Sequence, residues 1–207
     1  MKSLICIFIG YLLGTLNPAA LIAKIKHKSL RENGTGNLGA SNTLLVFGKR
    51  FGALVMLFDI LKGFAAFLLA GWIAPEVAWL PMAAGLAAVV GHCFPFYLKF
   101  KGGKGLAAFA GVVLAYDAKL FLFLLVSGMA LMLIVNHSFV LPFYASTFFA
   151  VSVAIRATSI AVALLAAAVA ILIVAMHFGN CIKAFRKQDL NIRGYIKTKL
   201  FHKSRAE

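Results

Sequence analysis

The chain has 207 residues, of which 62% are hydrophobic and 13% are charged, and its 21 Lys and Arg outnumber 6 Asp and Glu. A water-soluble domain of this length could not hide so much apolar surface, so the composition indicates an integral membrane protein. The net charge of +15 would suggest nucleic-acid binding on a polar domain, but here the basic residues lie between apolar runs. We expect them to set membrane topology and to attract anionic lipid or phosphate, with no nucleic-acid partner. The cysteine spacing matches no metal motif.

The apolar runs predict an all-α integral membrane protein, a helical bundle of seven spans. A helix needs about 20 apolar residues to cross a bilayer, and one of the runs is shorter than that. Residues 104–136 are too many for one crossing, so we expect a break near Asp117. The predicted spans are residues 4–24, 52–73, 79–98, 105–117, 119–136, 139–155 and 158–178. They form a single transmembrane domain, residues 1–182, followed by a basic cytoplasmic tail, residues 183–207.

The basic residues are concentrated on alternate connections between the spans. Segments 24–51 and 99–104 hold six and three Lys or Arg and the tail holds eight, whereas the other side holds three. The positive-inside rule therefore predicts an N-terminus outside, a C-terminus in the cytoplasm, and segments 24–51 and 99–104 on the cytoplasmic face. The first run could instead be a cleaved signal peptide. It continues to about Ala23 and is followed by lysines, which favours a retained anchor.

Residues 33–42, here called glycine loop 1, contain three glycines and three asparagines. These residue types disfavour a helix and favour turns whose N–H groups can close around an anion. Thr35, Ser41 and Asn42 can add side-chain donors, and Ser41 or Asn42 can cap the helix that follows. The alternative is a flexible connection, but an Asn-x-Gly-x-Ser-Asn pattern that leads directly into a helix favours binding.

Residues 99–105, here called glycine loop 2, follow Pro95, which should end or kink the third span near its inner end. Lys104 lies between glycines, so backbone N–H groups and an ammonium can approach one phosphate together. The glycine spacing does not fit a Walker A loop. Snorkelling lysines at a span end are the alternative, and they would account for the lysines but not for the three glycines.

Ionisable residues also occur within the apolar runs. Asp59 and Lys62, at i and i+3, are interpreted as a buried structural pair, with a role in lining an active site as the alternative. His92 is interpreted as a hydrogen-bonded structural residue rather than a catalyst.

Three polar residues recur at three-residue spacing where the last span meets the tail: His177, Asn180 and Lys183. This spacing places them on or near one helix face. A solvated basic tail that binds anionic lipid is the alternative; it fits residues 193–205 better than the span boundary.

Taken together, the motifs resemble the bacterial acyl-phosphate-dependent glycerol-3-phosphate acyltransferases, the PlsY family, over nearly the whole chain. The matching motifs are Tyr11-Leu12-Leu13-Gly14 with Pro18, Gly34-x-Gly36-Asn37-x-Gly39-Ala40-x-Asn42, Gly48-Lys49, Asp59-x-x-Lys62-Gly63, Gly91-His92-x-x-Pro95, Phe100-Lys101-Gly102-Gly103-Lys104-Gly105 and His177-x-x-Asn180. The resemblance implies a multi-pass protein of the bacterial inner membrane with seven spans, an outside N-terminus and a cytoplasmic-side active site.

The same resemblance implies acyl transfer without a cofactor or metal. The hydroxyl of glycerol 3-phosphate would attack an acyl phosphate, giving lysophosphatidic acid and phosphate, so the expected partners are these two substrates and membrane lipids. Lys104, His177 and Asn180 would be the catalytic residues. The substrate-binding residues would be Thr35, Gly36, Asn37, Gly39, Ser41, Asn42, Lys49, Lys101, Gly102, Gly103, Gly105 and Lys183.

The chain departs from the family pattern at several positions. Leu44 and Leu45 stand where the family has an arginine, a bidentate phosphate partner. Lys183 and Asp189 align with an Arg and a Glu of the family. Two other functions therefore stay open. One is a paralogue that acts on another phosphorylated acceptor or only binds one. The other is a small transporter or channel, although glycine loops confined to one face argue against it.

Overall fold

The computed structural model describes residues 1–157 and 159–186, and within these residues the chain is helical and contains no strand. The predicted all-α architecture is therefore confirmed. The helices are α1 (Lys2–Thr15), α2 (Pro18–Ile25), α3 (Ala40–Phe47), α4 (Lys49–Ile73), α5 (Leu80–Cys93), α6 (Leu106–Tyr116), α7 (Ala118–Val135), α8 (Val140–Arg156) and α9 (Ile160–Phe185), with a 3₁₀ turn at Phe96–Leu98.

Five segments of the described chain are long and apolar enough to cross a membrane, and two apolar helices are shorter. The long segments are Lys2–Ile25, Lys49–Ile73, Leu80–Leu98, Ala118–Val135 and Ile160–Phe185; the short helices are α6 and α8. Large apolar side chains such as Leu57, Leu122 and Ile171 are exposed on their outer faces. Such a surface is suited to lipid rather than to water.

The two predicted interruptions are confirmed. Asp117 follows α6 and caps α7, where its carboxylate accepts hydrogen bonds from the N–H groups of Lys119 at 2.9 Å and Leu120 at 3.0 Å. Helix α5 ends at Cys93, just before Pro95, and the 3₁₀ turn follows. Asp117 also lies 2.9 Å from the guanidinium of Arg156, so an ion pair links the start of α7 to the end of α8.

The sequence predicted one continuous span over the first apolar run, but the run is divided into two helices. It is interrupted at Leu16 and Asn17, and α2 starts at Pro18, where the fixed φ of proline and its missing N–H suit a helix start. The Asn17 side chain caps α2 by accepting the Ala20 N–H at 2.8 Å. This break leaves Leu16 and Asn17 without helical geometry inside an apolar segment.

The last helix is longer than expected. Helix α9 continues through Lys183 to Phe185, so the predicted boundary after residue 182 falls inside a helix. Asp189 and the rest of the predicted basic tail lie outside the described residues.

Small residues let the spans approach closely. Gly10 and Gly14 of α1 face Ala84 and Ala88 of α5, and because both sets of numbers ascend together the two helices run parallel. A Cβ added at Gly14 would collide with the Ala88 carbonyl oxygen. Close approach through small residues is typical of membrane helix packing. The parallel pair places the ends of α1 and α5 at the same side of the bundle.

The aromatic core lies where α6, α8 and α9 meet. Phe109 and Phe149 are almost fully buried and stack edge-to-face with ring centroids 5.4 Å apart; Tyr116 packs on Phe149 at 5.6 Å. Ile173 of α9 belongs to the same core and is fully buried. This core fixes the position of the last turns of α9 relative to the start of α6.

Candidate functional site

Glycine loop 1 is ordered around one buried side chain, that of Asn42. Its Nδ2 lies 2.8 Å from the Leu30 carbonyl oxygen, 3.1 Å from that of Asn33 and 3.0 Å from that of Asn37. Its Oδ1 accepts the Thr35 N–H at 2.7 Å. Because Asn42 is fully buried and its polar atoms bond within the loop, this side chain shapes the loop.

The turns of glycine loop 1 depend on glycine at two positions. Gly34 and Gly36 have φ of +66° and +75°, a region that residues with a Cβ rarely adopt. The expectation that Ser41 or Asn42 caps the next helix was wrong. Helix α3 starts at Ala40 with Gly39 at the N-cap, because Asn42 is engaged in the loop and Ser41 is exposed.

Glycine loop 2 is held against the end of α5 by its own backbone. The Gly102 N–H donates to the Cys93 carbonyl at 2.9 Å, and the Gly103 N–H donates to the His92 carbonyl at 3.1 Å. A Cβ at Gly103 would collide with the His92 ring and would lie 2.9 Å from the Leu38 carbonyl oxygen. Glycine is therefore required at residue 103, and the two glycine loops meet there.

Arg31 lies just before glycine loop 1, and its side chain contacts glycine loop 2. The sequence did not lead us to predict it as a site residue. Its Nη2 donates to the Lys101 carbonyl at 2.6 Å and lies 3.4 Å from the Leu98 carbonyl oxygen. Asn17 also contributes, since its Nδ2 donates to the Leu38 carbonyl at 3.2 Å. The available signal was an arginine directly before a glycine-rich segment, because a guanidinium can bridge several carbonyl oxygens.

The end of α9 contacts glycine loop 2. The Lys104 ammonium donates a hydrogen bond to Asn180 Oδ1. One turn earlier His177 is buried, and its Nδ1 lies 2.9 Å from the Ile173 carbonyl oxygen. Since a carbonyl only accepts, Nδ1 carries a proton, and in the neutral ring Nε2 is then the acceptor. Lys104 therefore lies in one region with His177 and Asn180, which are distant from it in sequence.

Most other predicted site residues lie at the surface. Gly105 is buried, and Asn37, Gly39 and Gly102 lie in the two loops described above. Lys49 is exposed at the first position of α4, and Lys183 is exposed in the last turn of α9. The exposed members of the predicted set within the two loops are Thr35, Gly36, Ser41 and Lys101.

Three buried ionisable residues, Asp59, Lys62 and His92, form one cluster. Lys62 Nζ lies 2.7 Å from Asp59 Oδ1, as the predicted pair requires, and 2.7 Å from His92 Nδ1. His92 is hydrogen-bonded, as expected, and it borders Gly103. In the described part of the chain, no three His, Cys, Asp or Glu side chains are grouped so that they could hold a metal ion.

An apolar groove lies between α1 and α5, with a volume of about 500 Å³. Its inner end is marked by Tyr11 and Val90, and the Tyr11 hydroxyl donates to the Phe94 carbonyl at 2.9 Å, just before glycine loop 2. The lining residues are Leu4, Ile7, Phe8, Tyr11, Ala83, Leu86, Ala87, Val90 and Leu165. The side chains that line this groove are apolar, apart from the Tyr11 hydroxyl.

Fold and site together define a multi-pass helical membrane protein with a cation-bearing polar site at one end of its bundle. A family model described as glycerol-3-phosphate acyltransferase matches residues 4–187. The chain belongs to this family.

Individual relatives agree with the family match. A glycerol-3-phosphate acyltransferase of Streptococcus thermophilus (strain ATCC BAA-491 / LMD-9) is 46% identical over 127 residues, 60% of this chain and 59% of the relative. One of Aquifex aeolicus (strain VF5) is 42% identical over 123 residues, 59% of this chain and 64% of the relative. The chain thus spans about three fifths of the length of these curated relatives.

Solved structures match over almost the full length. The crystal structure of PlsY, an integral membrane glycerol 3-phosphate acyltransferase, in its glycerol 3-phosphate form superposes with a TM-score of 0.86 at 30% identity, covering 93% of this chain and 96% of that one. The lysophosphatidic acid form gives a TM-score of 0.84 at 29% identity, covering 92% and 95%.

Proposed function

We propose that this protein transfers an acyl group from an acyl phosphate to glycerol 3-phosphate, giving lysophosphatidic acid and inorganic phosphate, at the cytoplasmic face of the bacterial inner membrane. The observation that carries the proposal is the contact of Lys104 with Asn180 beside the meeting point of the two glycine loops. The glycerol 3-phosphate and lysophosphatidic acid forms of the PlsY structures support the acceptor and the product.

The reaction suits a site without a serine or cysteine nucleophile. The hydroxyl oxygen of glycerol 3-phosphate forms a bond to the acyl carbon, the bond from that carbon to the phosphate oxygen breaks, and the hydroxyl proton passes to phosphate or solvent. Phosphate leaves readily, so the site must mainly neutralise charge and position two anions. Lys104 is assigned the neutralisation of the acyl phosphate, and Asn180 holds its ammonium in place.

His177 is assigned a hydrogen bond to substrate. Its Nδ1–H is directed to the Ile173 carbonyl, which orients the ring and presents Nε2 as the acceptor. A hydroxyl of the acceptor substrate is the natural donor for this atom. Asn180, one turn further on, shares the same side of α9.

The phosphate of glycerol 3-phosphate is assigned to glycine loop 1 and Lys49. Thr35, Gly36 and Ser41 are exposed, so they can meet an anion from the cytoplasm. The buried Asn42 supports this role indirectly, because its hydrogen bonds hold the loop in its turned conformation. Lys101 and Lys183 add positive charge nearby.

The acyl chain is assigned to the groove between α1 and α5. The groove is lined by apolar residues and ends at Tyr11, whose hydroxyl reaches the segment that leads into glycine loop 2. An acyl phosphate bound there would place its phosphate toward Lys104 and its tail toward lipid.

All seven apolar segments are proposed to enter the membrane, with the N-terminus outside and the C-terminus in the cytoplasm. Helix α6 has 11 residues and a length of roughly 16 Å at 1.5 Å per residue, so it crosses only part of the bilayer. Gly63 of α4 approaches its backbone closely, which shields this short helix from lipid.

A second candidate is a family paralogue with another phosphorylated acceptor. It is favoured by Leu45, which is 37% exposed and lies four residues after Ser41 on the same face of α3, in the region where the family has its arginine. A panel of phosphorylated acceptors assayed with palmitoyl phosphate separates the candidates. A preference for glycerol 3-phosphate counts against the paralogue.

Purified Lys104→Ala protein tests the mechanism, with lysophosphatidic acid read by mass and phosphate release measured. The wild type should form both products, and the variant should form neither above background, because the charge on the leaving phosphate is no longer neutralised. The matched control is Lys119→Ala, an exposed lysine of α7 away from the loops, which should keep full activity. Unchanged turnover in Lys104→Ala would remove the mechanism.

A further inference from the structure

Three buried residues have no part in the substrate contacts proposed above: Asp59, Lys62 and His92. Their exposed fractions are 1%, 4% and 3%. Lys62 Nζ lies 2.7 Å from both Asp59 Oδ1 and His92 Nδ1, and His92 Nδ1 lies 3.3 Å from Asp59 Oδ1. Ionisable groups at membrane depth are costly in free energy, and their retention commonly marks a function.

The polar contacts of this cluster centre on Lys62 Nζ. Lys62 Nζ donates to the Leu16 carbonyl at 2.9 Å and lies 2.7 Å from His92 Nδ1, and it forms an ion pair with Asp59 Oδ1. An ammonium donates hydrogen bonds and cannot accept them, so with Lys62 charged, His92 Nδ1 is the acceptor and the ring proton is on Nε2. Nε2 is the ring atom that faces Gly103, where an added Cβ would collide with it.

The cluster contacts backbone groups that hold both glycine loops in place. On one side the His92 carbonyl accepts the Gly103 N–H at 3.1 Å, and its ring fills the space beside Gly103. On the other side Lys62 holds the Leu16 carbonyl, and the next residue, Asn17, donates to Leu38 of glycine loop 1 at 3.2 Å. A displacement of the cluster would therefore move the two loops relative to each other.

We propose that Asp59, Lys62 and His92 are positioning residues that hold residues 102–104 and Leu38 in register, so that the Lys104 ammonium stays beside the phosphate-binding turns. The kinetic consequence rests on the proposed acyltransferase function. The positioning itself does not, because it concerns the conformation of glycine loop 2. If the cluster only stabilised the bundle, its disruption would weaken all helices together.

A double-mutant cycle between His92 and Gly103 tests the coupling. His92→Ala and Gly103→Ala should each lower kcat by about tenfold to a hundredfold, since a 1 Å misplacement can cost that much. The double variant should lose less than the product of the two single losses, because removing the imidazole makes room for the added methyl group. Ser146→Ala, a buried polar residue of α8 bonded to the Pro142 carbonyl, is the control and should keep wild-type kcat.

Hydrogen exchange provides a readout that does not depend on turnover. In His92→Ala the amides of Gly102 and Gly103 should exchange at least tenfold faster, while exchange in the core of α8 and α9 is unchanged. If His92→Ala cannot be purified, His92→Gln is used, which keeps an acceptor for Lys62 but lacks the ring beside Gly103. It should shift kcat and exchange in the same direction by a smaller factor.

The outcomes separate the two proposals. A wild-type protein that forms no lysophosphatidic acid rejects the acyltransferase function, and the exchange data still decide the positioning role. Single losses in kcat that multiply in the double variant, or exchange that rises equally in every helix, overturn the positioning role.

Discussion

At the scale of single residues, the hydrogen bond between Lys104 and Asn180 is the contact most directly linked to chemistry. Asn180→Asp replaces a neutral acceptor by a carboxylate, which would neutralise the ammonium before substrate arrives. We expect kcat/KM to fall by about a hundredfold to a thousandfold, the range of one lost electrostatic contact in a transition state. Steady-state kinetics with the neighbouring Cys181→Ala as control measures this. An Asn180→Asp enzyme as active as Cys181→Ala would contradict it.

Leu45 is one of the two leucines expected to stand where the family has an arginine, and it is the exposed one of the two. An arginine there would share the exposed face of Ser41 and could bind phosphate with two parallel hydrogen bonds. Leu45→Arg should therefore lower the KM for glycerol 3-phosphate about tenfold, equivalent to about 1.4 kcal/mol. The matched control is Leu44→Arg, because Leu44 packs on Gly52 of α4 and a long charged side chain there should lower stability instead. Equal KM values in Leu45→Arg and wild type would show that residue 45 is remote from the phosphate.

At the scale of elements, the groove between α1 and α5 sets how much alkyl chain can be bound. Ala87→Phe would fill part of this groove with an aromatic ring. We expect the KM for palmitoyl phosphate to rise several-fold while that for a short-chain acyl phosphate changes little. The control is Ala167→Phe, at a half-buried position on α9 outside the groove lining. A uniform loss across chain lengths in Ala87→Phe would argue against the groove as the acyl site.

The turn between α6 and α7 depends on Asp117. The Leu120 N–H, together with Arg156, holds the pKa of this carboxyl below its ordinary value. A lowered folded-state pKa contributes stability above the unfolded-state pKa, near 3.9, and this contribution is lost as pH falls through the folded-state value.

Removing the Asp117 charge should therefore lower stability only slightly, and only at pH values above the range in which this carboxyl titrates. Asp117→Asn keeps a cap and should cost up to about 1 kcal/mol at pH 7, as for an exposed ion pair. Asp117→Ala should cost about 1 kcal/mol more through the lost cap. Thermal unfolding from pH 7 to pH 3 measures both. The gap between wild type and Asp117→Asn should shrink toward pH 3, and a constant gap would contradict this account.

At the scale of the whole molecule, local features of the sequence were the most predictable. The interruptions at Pro95 and Asp117 follow from residue type, and the polar character of the two glycine loops follows from their composition. The contact of Lys104 with Asn180 was within reach, because both residues belong to motifs at span ends on one side. The interruption at Leu16 was missed, because the apolar run outweighed the signal of Pro18.

Features that depend on how distant helices cross could not be predicted. Asn42 was recognised as a donor, but its inward direction depends on the packing of Leu30 and Leu38 beneath the loop. Arg31 bridges carbonyl groups about seventy residues away. The His92 ring that borders Gly103 contacts Lys62 of α4, and no local pattern specifies how α4 meets α5.

The convergence of three distant segments has a consequence for biogenesis. Glycine loop 1 leaves the ribosome early, glycine loop 2 midway, and Asn180 nearly last, so the Lys104–Asn180 contact can form only after the final helix has been inserted by the translocon. A nascent chain or a truncation product that ends before residue 180 thus lacks the assembled centre. Any activity that depends on this contact therefore cannot begin until nearly the whole chain has been made.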